Sequence, residues 1–476
     1  MGLRRLRRIT ANPMRYLLQP QVALRSWRLV PYAYYWKGER NAFGLKKEEY
    51  ELLCCCDGKQ ELEESSLLSS LMMRGLCAPC QGEGELTPWQ KPRFCDNRYF
   101  PALNWMITGK CNYNCLHCFN AADNAPLMSE FTWEEALSLI DQADRCGINA
   151  FTITGGEPML HRHFFLILEA IYDRGMYVEE LNTNGAFLND EALRRLKNLD
   201  GNMKLKISFD GLGHHDWLRN RQGAEQDALR AIRLSKDYGF PVMVQTNVHR
   251  RNLDTLMETA ERLDEMGIDA IRIIRTTEAP RWVQNGGDAT LGLTEYYDRM
   301  LDFLQSYLKV PHSMTVEIWQ FASVFPKSRS YRARPVECKP GEYRDSLPVC
   351  RGNRGMVAVA ANGNVFPCHQ LSGYYEEHHD ILGNVKTDGL QTLLQGSAYL
   401  SEVCITLGQL KEANPQCAQC RYFLSCAGGC RAIALALTGN KLANDPSKCL
   451  FFQNGYYEQL ENVMGDWRNL ASLTVK

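Results

Sequence analysis

The middle of the chain alternates short β-type runs with amphipathic helical runs. Strands are predicted at residues 103–108, 150–154, 177–182, 205–210, 241–247 and 270–275, with a further one at 315–319. Helices are predicted between them at 133–146, 163–174, 190–199, 225–238 and 253–266. Six or so strand-helix units imply a parallel sheet, either an open doubly wound sheet or a full or partial barrel. The number of units does not choose between these forms.

Charge and targeting signals narrow the class of protein. The chain has 54 Lys and Arg against 55 Asp and Glu, so its formal charge is −1, which argues against a nucleic-acid partner. No run approaches the roughly 18 apolar residues of a membrane span, and the basic start lacks the apolar stretch of a secretory signal. We therefore expect a cytoplasmic protein with no membrane partner. Its 19 cysteines are then expected to be reduced and available as metal ligands.

Three cysteines follow the first strand of the alternating region, as Cys111-Asn-Tyr-Asn-Cys115-Leu-His-Cys118. Active sites gather at the carboxyl ends of parallel strands. Three thiols are one fewer than a structural zinc or a fully ligated iron-sulfur cube uses, so one metal position would stay open for chemistry. The alternatives are a structural zinc with a distant fourth ligand, or thiols without a metal.

Polar and glycine-rich segments end the next three strands. They are Thr154-Gly-Gly-Glu157-Pro158, Asn182-Thr-Asn-Gly185 and Ser208-Phe-Asp210-Gly211. Each is by itself a common turn, but their position on successive strands brings carboxylate, amide and hydroxyl groups to one edge of the sheet.

These motifs resemble the radical SAM superfamily, over roughly residues 103–319 on a partial barrel scaffold. The resemblance implies that Cys111, Cys115 and Cys118 hold a catalytic [4Fe-4S] cluster whose open iron binds S-adenosylmethionine. It further implies contacts to that cofactor, with the methionine amino group at Gly155, Gly156, Glu157 and Pro158, and with its ribose or methionine parts at Asn184, Ser208 and Asp210. Arg219 is a candidate for the methionine carboxylate, with a solvated surface role as the alternative. His117 occupies the aromatic position before the third cysteine.

A second group of cysteines lies near the carboxyl end of the chain, at Cys350, Cys368, Cys417, Cys420, Cys426, Cys430 and Cys449. On spacing alone, two structural zinc sites are the alternative to clusters. The arrangement resembles the SPASM domain, which carries two auxiliary [4Fe-4S] clusters. That resemblance implies one cluster on Cys417, Cys420, Cys426 and Cys449, and another on Cys350, Cys368 and Cys430. Cys338 is the first candidate for the missing ligand, with Cys404 behind it; without either, one iron would be open to a substrate thiolate.

The front of the chain, residues 27–77, is predicted to contain a hairpin-like segment at 27–43 and helices at 46–54 and 63–73 around the turn at Asp57 and Gly58. It resembles the winged-helix RiPP recognition element, which implies capture of a leader peptide as an added strand. A purely structural cap is the alternative.

The alternating pattern predicts an α/β fold, and the resemblances imply a partial (β/α)6 TIM-like barrel with a winged-helix-like domain before it and a small iron-sulfur SPASM domain after it. The expected domains are residues 1–95, 96–320 and 321–476. The resemblances imply a maturase that takes hydrogen from a ribosomally made precursor peptide and forms a thioether or carbon-carbon cross-link. A flavodoxin or ferredoxin is the expected electron donor. A sulfatase-maturing type of side-chain oxidase and a non-catalytic zinc or peptide-binding protein are the alternatives.

Overall fold

The computed structural model describes residues 14–39, 41–118, 128–276, 280–333, 343–350 and 356–473. Cys338, the first candidate for the missing auxiliary ligand, lies outside these residues.

The strands are β1 Met14–Leu18, β2 Val22–Trp27, β3 Val30–Trp36, β4 Phe43–Gly44, β5 Asp57–Leu62, β6 Cys77–Cys80, β7 Arg93–Phe94, β8 Ala102–Met106, β9 Ala150–Thr154, β10 Tyr177–Thr183, β11 Lys204–Ser208, β12 Val242–Val248, β13 Ala270–Arg275, β14 Thr315–Ile318, β15 Ala322–Phe325, β16 Ser330–Ala333, β17 Met356–Val359 and β18 Val365–Phe366.

The α-helices are α1 Lys47–Cys54, α2 Ser66–Met73, α3 Trp133–Arg145, α4 Phe164–Asp173, α5 Asp190–Leu199, α6 His215–Arg219, α7 Ala224–Asp237, α8 Leu256–Glu265, α9 Pro280–Asn285, α10 Leu293–Tyr307, α11 Ser372–Glu377, α12 Leu390–Gln395, α13 Ser397–Val403, α14 Leu407–Ala413, α15 Pro415–Ala418, α16 Phe423–Cys426, α17 Arg431–Thr438, α18 Pro446–Gln453 and α19 Tyr456–Leu473. Short 3-10 helices lie at Pro158–Leu160, Gly287–Ala289, Pro326–Ser328 and His369–Leu371.

The centre of the molecule is an open sheet in which β8 to β14 run parallel in chain order. The alternating pattern explains it, because every second side chain of these strands, such as Leu205 and Ile207, packs into the core shared with helices α3 to α5, α7 and α8. The other side chains line the inner face. The expected partial barrel is confirmed, and the strand predicted at 315–319 completes it as β14.

Both edges of the sheet are extended by other parts of the chain. β15 and β16 continue antiparallel from β14. At the opposite edge β17, from the C-terminal region, pairs parallel with β8, and β18 pairs antiparallel with β17. The C-terminal region is thereby joined by hydrogen bonds to the first barrel strand, the strand that leads to Cys111.

The N-terminal unit consists of helices α1 and α2 and two small sheets, with strand orders β5-β1-β6 and β4-β3-β2-β7. Both predicted helices are present, the second beginning at Ser66, whose preceding residue Ser65 caps it by accepting from Leu68 N–H. The strands β5 and β6 that flank the second helix were not predicted, because the polar run Asp57–Leu62 lacks β-branched residues.

This unit lies against the loops that precede β9 and β10, at the amino end of the barrel strands. Buried Arg25 donates from Nε to Asn149 Oδ1 at 2.6 Å, and Arg93 donates from Nη2 to the Arg174 carbonyl at 2.6 Å. A Cβ at Gly175 would lie 2.2 Å from the Pro88 carbonyl carbon, so only glycine permits this approach. The N-terminal unit is therefore docked at the end of the barrel opposite the cysteine loop.

Within the described part of the chain, no helix is both long enough and apolar enough to cross a membrane.

Candidate functional site

The first cysteine motif lies on the loop that follows β8, at the carboxyl end of the parallel strands. Cys111, Cys115 and Cys118 form one cluster with Tyr113 and Ala224. Burial raises the pKa of the Cys111 thiol to about 12, to which Cys115 and Cys118 contribute, while the Tyr113 N–H bond of 3.4 Å lowers it. The three thiols are thus neighbours in a buried environment. This environment disfavours the thiolate form of each cysteine, whereas a bound metal cation would stabilise it.

The two glycines after β9 allow the cysteine loop to pass close to the strand end. A Cβ at Gly155 would lie 2.4 Å from the Thr108 carbonyl oxygen, and one at Gly156 would lie 2.3 Å from that of Lys110. The Gly156 N–H donates to Thr108 and the Glu157 N–H to Lys110, both at 2.8 Å. These glycines therefore fix the backbone of the segment that leads into Cys111.

The Glu157 side chain is fully buried and joins the ends of two strands. Its carboxylate accepts from Thr183 Oγ1 and the Asn184 N–H at 2.8 Å each, and from the Met159 N–H at 3.3 Å. Burial raises the pKa of Glu157 to about 7 against these bonds. The Asn184 amide in turn donates to Asn112 Oδ1 at 2.8 Å, within the cysteine loop. Glu157 and Asn184 thus come together beside Cys111.

Arg219 and Asp210 form a buried ion pair next to Cys115. Arg219 Nε donates to Asp210 Oδ2 at 2.7 Å, and its Nη1 lies 3.9 Å from Cys115 Sγ. Burial opposes ionisation of Asp210, but the Arg219 guanidinium and His215 hold the pKa of Asp210 well below its usual range. Arg219 is only 7% exposed, so the solvated surface alternative is wrong.

The hydrogen-bonding atoms of Asp210 and Arg219 that have no partner in the protein indicate which of the two side chains can bind a ligand. The other Asp210 oxygen, Oδ1, accepts from the Asn247 N–H at 2.9 Å, so both carboxylate oxygens have partners in the protein. Arg219 Nη2 is buried and has no partner among the described residues. Asp210 therefore positions Arg219, whose free N–H groups suit a ligand carboxylate.

His117 and Ser208 complete the predicted set. The Nδ1 atom of His117 is buried without a partner among the described residues, and burial lowers the pKa of this imidazole to about 3. Ser208 is half-buried at the end of β11. A neutral imidazole with an unused ring nitrogen, beside Arg219, suits contact with a neutral heterocycle.

Sequence reasoning missed His249, which directly follows β12 at the same edge. Its side chain is fully buried, and neither ring nitrogen has a partner within the described residues. Its ring lies 5.0 Å from that of Trp217 and 6.0 Å from that of Trp282. The sequence signal that could have identified His249 was its position at the end of a strand, which resembles the position of Asp210.

Several C-terminal thiols lie near enough to one another to affect each other's ionisation. Burial raises the pKa of the Cys368 thiol, and the neighbouring Cys430 and Cys350 thiols add to this effect. Burial likewise raises the pKa of Cys417, with contributions from Cys449 and Cys420. Cys449 also adds to the raised pKa of Cys426, which reaches about 12 chiefly through burial. These influences run between thiols of the same predicted set, while Arg431 is influenced by Cys430, Cys426 and Cys350 from both sets, so the two ligand sets stay a prediction.

The alternative ligand Cys404 has a different neighbour, since its Sγ lies 3.2 Å from Arg98 Nη1. Among the described residues, no three His, Cys, Asp or Glu side chains lie close enough to share a single metal ion.

Two family models match the chain in these regions. The model described as the radical SAM superfamily matches residues 105–263, and the SPASM model, an iron-sulfur cluster-binding domain, matches residues 350–421. The chain carries a radical SAM domain followed by a SPASM domain. The first covers the cysteine loop, Glu157, Asp210 and Arg219, and the second begins at Cys350.

Relatives of known activity are similar over most of their length. The AdoMet-dependent heme synthase of Methanosarcina barkeri is 28% identical over 349 residues, which cover 72% of this chain and 95% of that protein. The PqqA peptide cyclase of Granulibacter bethesdensis is 24% identical over 366 residues, covering 76% and 90% respectively. The relatives thus include proteins named for tetrapyrrole and for peptide chemistry.

Solved structures support the architecture. Streptococcus suis SuiB bound to its precursor peptide SuiA aligns with a TM-score of 0.63 at 13% identity, covering 91% of this chain and 99% of that one. The structure of anSMEcpe with bound AdoMet aligns with a TM-score of 0.58 at 18% identity, covering 78% and 99%. At these identities the likeness concerns the fold.

Proposed function

We propose that this radical SAM enzyme modifies a ribosomally made precursor peptide, removing hydrogen and forming a thioether or carbon-carbon cross-link. The observation that carries the proposal is that the cysteine loop and the N-terminal unit lie at opposite ends of one barrel. The cysteine loop with Arg219 lies at the carboxyl end, and a separate β-rich unit lies at the amino end.

In this proposal Cys111, Cys115 and Cys118 would hold a [4Fe-4S] cluster, which would supply the electron for reductive cleavage of S-adenosylmethionine. Arg219 binds the methionine carboxylate through its unpaired Nη2 and is held in place by Asp210. The segment Gly155 to Pro158 receives the amino group, and Glu157 keeps Asn184 in position to contact the cofactor. Ser208 and His117 contact the ribose and the adenine.

The N-terminal unit is proposed as the leader-binding, winged-helix-like domain. Strand β4 is the last strand of its sheet and pairs with Ala33 and Tyr34 of β3, and the Leu45 N–H that follows it donates to the Tyr32 carbonyl, so a further strand would have to add at the outer side of β4. Phe43 is 42% exposed and stacks on Tyr34 with 5.1 Å between ring centroids. An added peptide strand at this edge would gain backbone hydrogen bonds and cover the exposed ring.

The C-terminal thiols are proposed to hold two auxiliary clusters, on Cys350, Cys368 and Cys430 and on Cys417, Cys420, Cys426 and Cys449. We propose Cys338 as the fourth ligand of the first set. Because β17 pairs with β8, this region adjoins the strand that leads to the cysteine loop, a suitable place to accept the surplus electron. A flavodoxin or ferredoxin in the cytoplasm would supply the first electron.

The test uses the full chain purified and reconstituted without oxygen. We expect about 12 irons per chain and, with the precursor encoded beside the gene, a product two hydrogens lighter. Phe43→Asp is expected to weaken peptide binding while leaving the iron content unchanged. Cleavage of S-adenosylmethionine without any peptide product, when every neighbouring small reading frame has been tried, would contradict the peptide assignment.

A second candidate, tetrapyrrole chemistry, is favoured by the heme synthase match, which is higher in identity than the peptide cyclase match. Incubation with iron coproporphyrin and mass spectrometry for a change in the tetrapyrrole distinguish it. A side-chain oxidase of the sulfatase-maturing type would instead act without a leader. Zinc with no iron after reconstitution would leave a binding protein.

A further inference from the structure

The segment from the end of helix α6 to the start of helix α7, residues 218–224, lies against the cysteine loop. The Leu116 N–H of the loop donates to the Leu218 carbonyl of this segment at 2.9 Å. One residue further along, Arg219 Nη1 lies 3.9 Å from Cys115 Sγ. One short segment therefore binds the backbone of the loop and carries the candidate ligand of the methionine carboxylate.

Tyr113, which lies between the first two cysteines of the loop, contacts the same segment through Arg221. Arg221 Nη1 donates to the Tyr113 hydroxyl at 3.0 Å, and its guanidinium carbon lies 4.8 Å from the centre of the Tyr113 ring. Tyr113 is buried, and its backbone N–H donates to Cys111 Sγ at 3.4 Å. Tyr113 therefore connects a candidate cluster ligand to the segment that carries Arg219.

An ion pair with Asp227 orients Arg221 for this contact. Arg221 Nη1 donates to Asp227 Oδ2 at 2.6 Å, and the other Asp227 oxygen pairs with Arg230 Nη1 at 3.0 Å. The Arg221 side chain is 37% exposed, and ion pairs at such positions contribute little to the free energy of unfolding. A change at Arg221 is therefore expected to alter the contact with Tyr113 without unfolding the barrel.

We propose that Tyr113 and Arg221 form a positioning pair that fixes Arg219 relative to the cysteine loop and so orients S-adenosylmethionine for cleavage. This inference rests on the proposed cofactor site, in which Arg219 binds the methionine carboxylate and the loop thiols hold the cluster. Because one cofactor molecule must reach both, a change in their relative position weakens its binding and misaligns the bond to be broken. The positioning pair acts through Arg219 and the loop, without contact to the cofactor itself.

The positioning pair and Asp210 hold different parts of the site. Asp210 accepts from Arg219 Nε at 2.7 Å and so orients the Arg219 side chain. Tyr113 and Arg221 instead tie the backbone segment on which Arg219 lies to the loop between the first two cysteines. Each contact is therefore expected to matter while the other is intact.

The test uses the full chain, purified and reconstituted without oxygen, with S-adenosylmethionine and no further substrate. Iron per chain is measured first, and equilibrium dialysis gives the dissociation constant of the cofactor. Dithionite then serves as the electron source for 5'-deoxyadenosine formation. The change that the cofactor causes in the electron paramagnetic resonance signal of the reduced cluster reports its position at the iron. Because no substrate is present, the result does not depend on whether the enzyme modifies a peptide or a tetrapyrrole.

Tyr113→Phe removes the hydroxyl and keeps the ring, and Arg221→Gln removes the cation. Each is expected to weaken binding of S-adenosylmethionine about fivefold at unchanged iron content, and Arg221→Lys to recover most of the affinity. The double variant should lose no more than Arg221→Gln alone, because both changes break one contact. Arg230→Gln is the matched control with native affinity, since it removes the other cation paired with Asp227 and leaves the positioning pair intact. Circular dichroism identifies a variant that fails to fold, and Tyr113→Phe, which lacks a single oxygen atom, is the least prone to this.

The outcomes separate the positioning pair from the proposed function. Native affinity and a native resonance signal in both single variants, or additive losses in the double variant, would overturn the pair. So would a loss of iron that accounts for the lost binding, because Tyr113 and Arg221 would then retain the cluster and not position the cofactor. A native chain that holds iron without binding S-adenosylmethionine would overturn the cofactor site itself. Weaker cofactor binding by the variants of a chain that modifies no peptide would uphold the pair and overturn the peptide assignment.

Discussion

Two regions carry the candidate cysteine ligands, the loop from Cys111 to Cys118 and the C-terminal region around Cys417 and Cys420. They differ in what holds the cysteines in place. The cysteine loop follows a strand of the continuous barrel core, and hydrogen bonds from Gly156, Glu157 and Asn184 tie it to two further strand ends. Around Cys417 and Cys420 the apolar core is small. It contains Val349, Ile405, Leu407, Leu410, Phe423 and Ala427.

Helix length shows the same contrast. Cys417 and Cys426 lie on helices of four residues each, Pro415–Ala418 and Phe423–Cys426. Isolated helices of this length are unstable in water, because ordering the first turn costs more free energy than its hydrogen bond contributes. The barrel edge is thus positioned by packing, whereas less packing holds the segments around Cys417 and Cys426 in place.

Cys115→Ala gives the largest expected effect, because it removes a ligand that packing alone already positions. Cleavage of S-adenosylmethionine should be lost, iron should fall by about four per chain, and the barrel should keep its fold. Liquid chromatography of 5'-deoxyadenosine and iron analysis measure these quantities. Ser138→Ala, on outer helix α3, is the control. Undiminished 5'-deoxyadenosine would refute the cluster assignment.

Removal of iron by an anaerobic chelator should separate the two regions. Amide hydrogen exchange is expected to rise across residues 407–453, where the core is small, while strands β9 to β13 remain protected. Mass spectrometry of peptic fragments measures this. Equal loss of protection in barrel and C-terminal peptides would remove the distinction between packing and ligation.

Cys420→Ala tests the C-terminal region by removing one sulfur atom. Iron should fall by about four per chain, some cleavage of S-adenosylmethionine should remain, and modified peptide should no longer form, since the loss is confined to an auxiliary group. Iron analysis and peptide mass spectrometry give the result. Full product formation with eight irons would show that this cluster has no part in the reaction.

Asp210→Asn tests the Asp210–Arg219 pair at the barrel edge and leaves every cysteine unchanged. The buried Arg219 would lose its counter-charge, which typically costs about 3 kcal/mol of unfolding free energy. Affinity for S-adenosylmethionine should fall as well, because Arg219 would no longer be held. Urea unfolding and equilibrium dialysis are the measurements. The control is Asp254→Asn, an exposed partner of Arg299. A cost below about 1 kcal/mol would place Arg219 in a surface-like environment.

Cys404→Ser should have the smallest effect. Its Sγ lies 3.2 Å from Arg98 Nη1, and the proposed ligand sets do not include it, so iron content should stay at the native value. A loss of iron, or a changed electron paramagnetic resonance signal of the reduced protein, would make Cys404 the fourth ligand instead of Cys338.

Much of the barrel could be predicted because its signals are local. The strands at 150–154 and 270–275 and the helix at 190–199 match the observed bounds. Their apolar periods, caps and glycines act within a few residues of one another. Helix α10, Leu293–Tyr307, was missed although it is fifteen residues long and connects the strands predicted at 270–275 and 315–319.

Prediction weakened where an outcome depended on distant partners. Arg219 could not be assigned from sequence, since a surface Arg and a buried one look alike until Asp210 and Cys115 come beside it. His249 was missed for the same reason. The charged inner face also escaped notice, because Glu180, Lys206 and Arg272 lie on three separate strands.

The sequence by itself determined the alternation that builds the parallel sheet, the edge at which the cysteine loop lies, and the spacing of the C-terminal thiols. Only the tertiary structure decided which thiols become neighbours, that the N-terminal unit docks at the amino end, and that β17 joins the barrel through β8. The physical reason is the distance along the chain over which each kind of interaction acts. Periodicity and backbone preference act along the chain, whereas burial and charge pairing depend on residues that meet only after folding.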